Sequence, residues 1–247
     1  MTEKWPTLSN SPVVVALFQI KFEMGETQLK DFLQYDAQLK KDFPKRSDNI
    51  EAHINVPSSS IPLGISKITS TTNAKMASHV YFSEDQKRKL SISEGNITYT
   101  DEQKYICWEN FEQAISKCLS IFSPILEKHI IVRTSIRFIN QFLFEDFSDP
   151  TQYFRTLISS TGNFAYPLMK YGFKLMLGIE ENIYSIVNQN IDKVSDKYIY
   201  IFDIDVLDKR NLIYDVKTII NVLQNLRVIK NQIFFNNITE KTIDLCS

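Results

Sequence analysis

Glycine is scarce, with 6 in 247 residues, and none stands in a GxGxxG or GxxxxGK pattern. That excludes the nucleotide cradles built from backbone amides at a helix start. Histidine is as rare: His53, His79 and His129 are scattered, without HExxH or HxH spacing, and no CxxC occurs. No metal-ligand pattern follows, and no cofactor is expected. Of the three cysteines, Cys107 and Cys118 fall in a segment read as helix, about 16 Å apart along its axis, too far for a disulfide, and Cys246 is remote from both. Reduced, structural thiols and a cytoplasmic location are expected. No GxSxG elbow exists, and Ser58, Ser59 and Ser60 read as a turn.

Charge of one sign is also missing. Lys plus Arg number 28 against 29 Asp plus Glu, a net charge of −1, which supplies no bulk field to draw in phosphate backbones or anionic membranes. Nucleic acid is therefore not the expected partner. No apolar run approaches the ~20 residues that cross a bilayer, and Met1 to Asn10 lacks a basic stretch followed by an apolar one. No membrane contact is expected.

What is present is a chain 43% hydrophobic and 12% aromatic, arranged in an order of elements that runs twice. Val13 to Phe22 is dense in β-branched and aromatic residues, as a buried strand is. Leu29, Phe32, Leu33, Leu39 and Phe43 then share one side of a helix ended by Pro44. Residues 46 to 100 read as an antiparallel meander with turns at Pro57 to Ser60 and Glu94-Gly95-Asn96. Trp108, Phe111, Ile115, Cys118, Phe122 and Ile125 recur at spacings of three and four, which predicts a long amphipathic helix.

The second pass starts near His129. Ile130 to Phe144 is its long strand, and Asp149-Pro150 opens a short helix with Tyr153, Phe154, Leu157 and Ile158. Tyr171, Phe173, Leu175, Leu177 and Ile179 alternate as in a strand with one covered face. Strands 183 to 191 and 198 to 207 follow, and a closing helix runs from Leu212 through Val216, Ile219, Leu223 and Leu226. The expected architecture is α+β: two pseudo-equivalent β-α-β(3-4)-α halves, 1–128 and 129–247. Their antiparallel sheets each pack on a long helix, in outline like TBP-like or helix-grip folds.

Two carboxylates and two guanidinia are the candidate site residues. Asp203 and Asp205 project from one face of a strand, where they could hold a divalent cation or act as an acid and base pair; the plainer alternative is a solvent-facing pair opposite Tyr200, Phe202 and Ile204. Arg133 and Arg137 interrupt an apolar strand on one face, with Asn140 on the other. A buried arginine needs a counter-charge, so these bind an anionic ligand, a partner's carboxylate or an acidic side chain of the same chain. The basic clusters Lys40, Lys41, Lys45, Arg46 and Lys87, Arg88, Lys89 are diluted by Asp42, Glu84 and Asp85 and read as solvated loops.

The proline-led strand Pro12 to Ile20, the aromatic helix start Tyr105, Trp108 and Phe111, the strand Arg137-Phe138-Ile139-Asn140 and the helix end Ile233 to Thr239 together resemble a sporadically distributed family of prokaryotic proteins whose function is not established. Phe138 and Gln141 stand where that family has a tyrosine and a basic residue. The patchy occurrence implies horizontally moved genes, such as those of anti-phage defence or toxin-antitoxin systems. The expectation is a non-enzymatic protein-binding component with a partner encoded nearby, homodimerisation staying open. The alternative is a small-ligand or nucleotide-binding protein with a pocket between sheet and long helix and the arginines as anion clamps.

Overall fold

A computed structural model describes residues 5–55, 71–145, 147, 149–156 and 170–247. It is mixed α+β, with a ten-stranded open antiparallel sheet and four α-helices. The strands are β1 (Val13–Phe22), β2 (Lys45–Asn55), β3 (Thr71–Phe82), β4 (Arg88–Ser93), β5 (Asn96–Asp101), β6 (Ile130–Phe144), β7 (Lys170–Glu180), β8 (Ile183–Val194), β9 (Lys197–Asp208) and β10 (Leu212–Ile213). They lie in the order β2-β3-β4-β5-β1-β6-β9-β8-β7, with β10 pairing β6 off that path. A single sheet thus runs through both parts of the chain. The long strands β1 and β6 meet at its centre, Phe18 opposite Ile136 and Ile20 opposite Thr134.

The helices are α1 (Asp36–Leu39), α2 (Trp108–Leu126), α3 (Val216–Asn237) and α4 (Glu240–Leu245). Alternation along the central strands sends Ala16, Phe18, Ile20 and Phe22 of β1, and Ile136, Phe138 and Phe142 of β6, to one buried face. There α2 brings down Trp108, Phe111, Ile115 and Phe122, and α3 brings down Ile219, Leu223, Leu226 and Phe234. Phe111 meets Phe138 edge-on at 5.5 Å, and Phe202 of β9 stacks on Phe234 at 5.9 Å. Each fully buried side chain of this size contributes about 1.5–3 kcal/mol. Between the helices, the Tyr214 hydroxyl donates to the Leu119 carbonyl at 2.8 Å.

Several local expectations need correction. The first helix is split into a 3-10 turn, Leu29–Tyr35, and the one-turn α1. The closing helix starts at Val216, because Leu212 and Ile213 pair with Ile131 and Ile130, and the Asp215 carboxylate then accepts from the Thr218 amide at 2.8 Å as an N-cap. At Asp149 the described residues form a 3-10 turn, Pro150–Gln152, after which Phe154 stacks on Tyr200 at 3.8 Å and bridges to Ile238. Leu157, Ile158 and the turn Pro57 to Ser60 lie outside the described residues. The alternation of β7 marks a face covered only in part: Leu177 packs against the core, while Leu175 and Ile179 are exposed on this outermost strand.

Candidate functional site

Cross-strand register gathers four of the five singled-out residues on the face turned away from the helices. Arg137 of β6 stands opposite Leu17 of β1 on one side and Asp205 of β9 on the other. Its Nε donates to Asp203 Oδ1 at 2.8 Å and its Nη2 to Asp203 Oδ2 at 2.7 Å, a parallel two-point pair. Asn188 of β8 donates to the same carboxylate at 2.9 Å. Asp203 is therefore buried, which corrects the solvent-facing reading. Its cationic partner comes from β6, 66 residues away in sequence.

Asp205 is treated differently by its surroundings. Burial pushes its carboxyl above the ordinary carboxylate range, although Arg137 and Arg133 pull the other way and Asp203 adds to the push. Its Oδ1 is buried without a hydrogen-bond partner among the described residues. Arg133 Nε is in the same condition. Across the β1–β6 ladder, Arg133 stands directly opposite Lys21, and side chains paired in this way point to the same side of the sheet. Two cations thus face each other, and no ion pair is made by either among the described residues. Toward β5, β4 and β3 the same face carries Gln19, Thr98, Ser91, Ser93 and Ser78, with Gln19 donating to Thr98 Oγ1 at 2.9 Å.

Asn140 lies on the opposite, helix-covered face. It is 2% exposed, and its amide nitrogen donates to the Phe202 carbonyl at 2.9 Å and the Phe138 carbonyl at 3.5 Å. It lines a cavity of about 440 Å³ between the segment Trp5 to Val13, the approach to α2 and the inner side of α3. The arginines on the far face cannot clamp a ligand held there. The cations of this cavity are Arg227 and Lys230 of α3, which sequence reasoning missed. A signal existed: Ile219, Leu223, Leu226, Lys230 and Ile233 continue one spacing of four and three, so a lysine occupies a seam position.

Among the described residues no group of three His, Cys, Asp or Glu is placed to hold a metal ion, and no helix is long and apolar enough to cross a membrane. His79 is buried with Nδ1 2.8 Å from Asp48, and His129 Nε2 lies 2.8 Å from the Thr27 hydroxyl. Lys45 pairs with Glu84, Arg46 with Asp36 and Asp48, and Lys89 with Glu102, so these members of the basic clusters are spent on intramolecular pairs. Comparison with protein-family models, curated proteins and solved structures finds no match to this chain.

Proposed function

We propose that this chain is a non-enzymatic binding protein whose helix-free sheet face docks an acidic surface of another protein. The carrying observation is the opposition of Lys21 and Arg133. Like charges directly opposite on antiparallel strands are destabilising, and neither makes an ion pair among the described residues, although the Asp205 carboxylate acts on Arg133 across the face. Near the centre of this face Lys21, Arg133, Arg137 and Lys174 stand with Asp203 and Asp205, while further out Lys170 pairs with Asp192 and Lys89 with Glu102. An acidic partner side chain would supply the missing counter-charge beside Lys21 and Arg133. The hydroxyl and amide side chains towards β3 add hydrogen bonding without aromatic platforms, which favours a protein over stacked bases. A gene neighbour in a defence or toxin-control cassette is the partner source that the family resemblance points to.

We also read 1–128 and 129–247 as copies of one TBP-like unit. The strand order supports this reading: β1 and β6 are neighbours, β5 and β9 flank them, and meanders run outward to β2 and β7. One long helix closes each part.

The test compares wild type with a Lys21→Glu, Arg133→Glu double variant. Proteins retained from the native host are identified, and binding is remeasured with purified components at low and moderate salt. The reading requires an acidic protein that binds wild type directly, weakens with salt and is lost with the variant. Retention unchanged by the double substitution, or retention of nuclease-sensitive material in place of protein, overturns it.

A further inference from the structure

The cavity under α3 lies on the opposite side of the sheet from the docking face, and its chemistry is its own. At about 440 Å³ it falls within the size range of small-molecule sites. Its walls are flat: Trp5 stacks on Phe235 at 5.1 Å with an interplanar angle of 8°, and Tyr105 and Trp108 close the side toward α2.

Its charges are unequal. Arg227 already has company, with Glu109 at 3.6 Å and the face of Trp108 5.2 Å beneath the guanidinium. Lys230, one turn further along α3, has no carboxylate among the described residues. Its ammonium rests 4.5 Å from the centre of the Phe138 ring. Burial and the neighbouring Arg227 pull its pKa down to about 7, although the side chain keeps part of its area exposed. Next to it Asn140 has committed its amide nitrogen to two backbone carbonyls, and that fixes the side-chain oxygen as an acceptor with no donor among the described residues. A leucine or methionine would fill the Lys230 position in the seam at lower desolvation cost.

We propose that this cavity binds a planar, singly charged organic anion, its charge set against Lys230, its ring against the aromatic wall, and a hydrogen-bond donor of the ligand on Asn140. One uncompensated cation calls for one negative charge, which favours a carboxylate over a phosphate dianion. The Lys230 ammonium rests on Phe138 of β6, and it shares the cavity with Arg227 on its own helix, Asn140 of β6, Tyr105 and Cys107 from the approach to α2, and Glu109 of α2. Glu109 is taken by Arg227, so anion binding falls to Lys230, which at slightly alkaline pH takes up a proton as the anion arrives.

The chain's only two tryptophans, Trp5 and Trp108, both line the cavity, so intrinsic fluorescence reports its occupancy. Titration of the full chain with 2-naphthoate, its neutral isostere 2-naphthamide and adenosine monophosphate, by fluorescence and by calorimetry in two buffers of different ionisation heat at pH 8, tests the proposal. The expected result is naphthoate binding at least about tenfold tighter than naphthamide, with net proton uptake. Lys230→Met abolishes both the preference and the uptake, and Lys230→Arg restores the preference. Asn140→Asp, which puts a second anion against the ligand, gives a second route to the same loss should Lys230→Met fail to fold. Equal binding of the charged and neutral probes, a preference unchanged in the variants, tighter binding of the dianionic nucleotide, or no binding of naphthoate at millimolar concentration overturns it.

Discussion

Arg137 and Asp203 share one ion pair from opposite environments: 44% of the arginine side chain is exposed against 6% of the aspartate. The two ends of the pair are therefore not equivalent under mutation. Arg137→Met strands a buried carboxylate with Asn188 as its remaining donor, which costs about 2–3 kcal/mol, the lower part of the range for broken buried pairs because solvent reaches the site. Asp203→Asn leaves a guanidinium that water can claim and costs about 1 kcal/mol. Urea midpoints of the two variants, compared at equal slope, measure the asymmetry.

Asp205 predicts a pH dependence. A carboxyl whose pKa is raised by burial binds more protons folded than unfolded, so its contribution to stability falls as pH rises through the window between the ordinary and the raised value. Above that window Asp205→Asn is expected to gain about 1 kcal/mol, because the buried oxygen has no hydrogen-bond partner among the described residues. The gain should vanish below the ordinary carboxylate range. Denaturation series at pH 7 and below pH 4 check it.

Lys230 predicts the opposite slope. With its folded pKa lowered to about 7, the native state binds fewer protons than the unfolded chain above that value, and stability rises with pH. Over pH 7 to 9 the advantage of Lys230→Met over wild type should shrink, by at most about 1.4 kcal/mol per pH unit for one proton. Thermal or urea unfolding of both proteins across that range gives the slope.

Gly95, in the turn joining β4 to β5, has φ of +66°, and a Cβ there would sit 2.7 Å from the Phe22 carbonyl oxygen. Gly95→Ala must meet both the left-handed backbone cost and a clash with main chain that cannot swing aside. A loss of about 2–3 kcal/mol is expected from the melting temperature.

Thiol reactivity separates the cysteines. Burial pushes Cys118 up to about 12 and Cys246 up to about 11, while Cys107 is half-buried at the start of α2. Folded protein at pH 8 should yield one thiol rapidly to an aromatic disulfide reagent and the other two only on unfolding. Peptide mapping of the labelled residue identifies it.

Local pattern carried much of the architecture and little of the site. The three-four spacing from Trp108 to Ile125 marks α2 because a helix facing a sheet must bury one stripe, and the β-branched run Val13 to Phe22 marks β1 for the same reason. The common face of Asp203 and Asp205, and the opposite placement of Asn140 from Arg133 and Arg137, follow from the two-residue period of a strand. The pairing of Arg137 with Asp203, and of Lys21 against Arg133, depends on register between strands far apart in sequence, which no local pattern encodes. The start of α3 was misplaced because Leu212 extends the apolar spacing of the helix while its backbone belongs to the sheet.

The position of β1 constrains how the chain is made. It leaves the ribosome first among the strands, yet the residues that must bond to Ile20 are Ile97 on one side and Thr134 on the other. During synthesis an apolar ribbon waits, with both ladders open, until Ile97 and then Thr134 have emerged. Refolding should accordingly be slow and prone to off-pathway association at Val13–Phe22, and a chaperone would do most good in that interval.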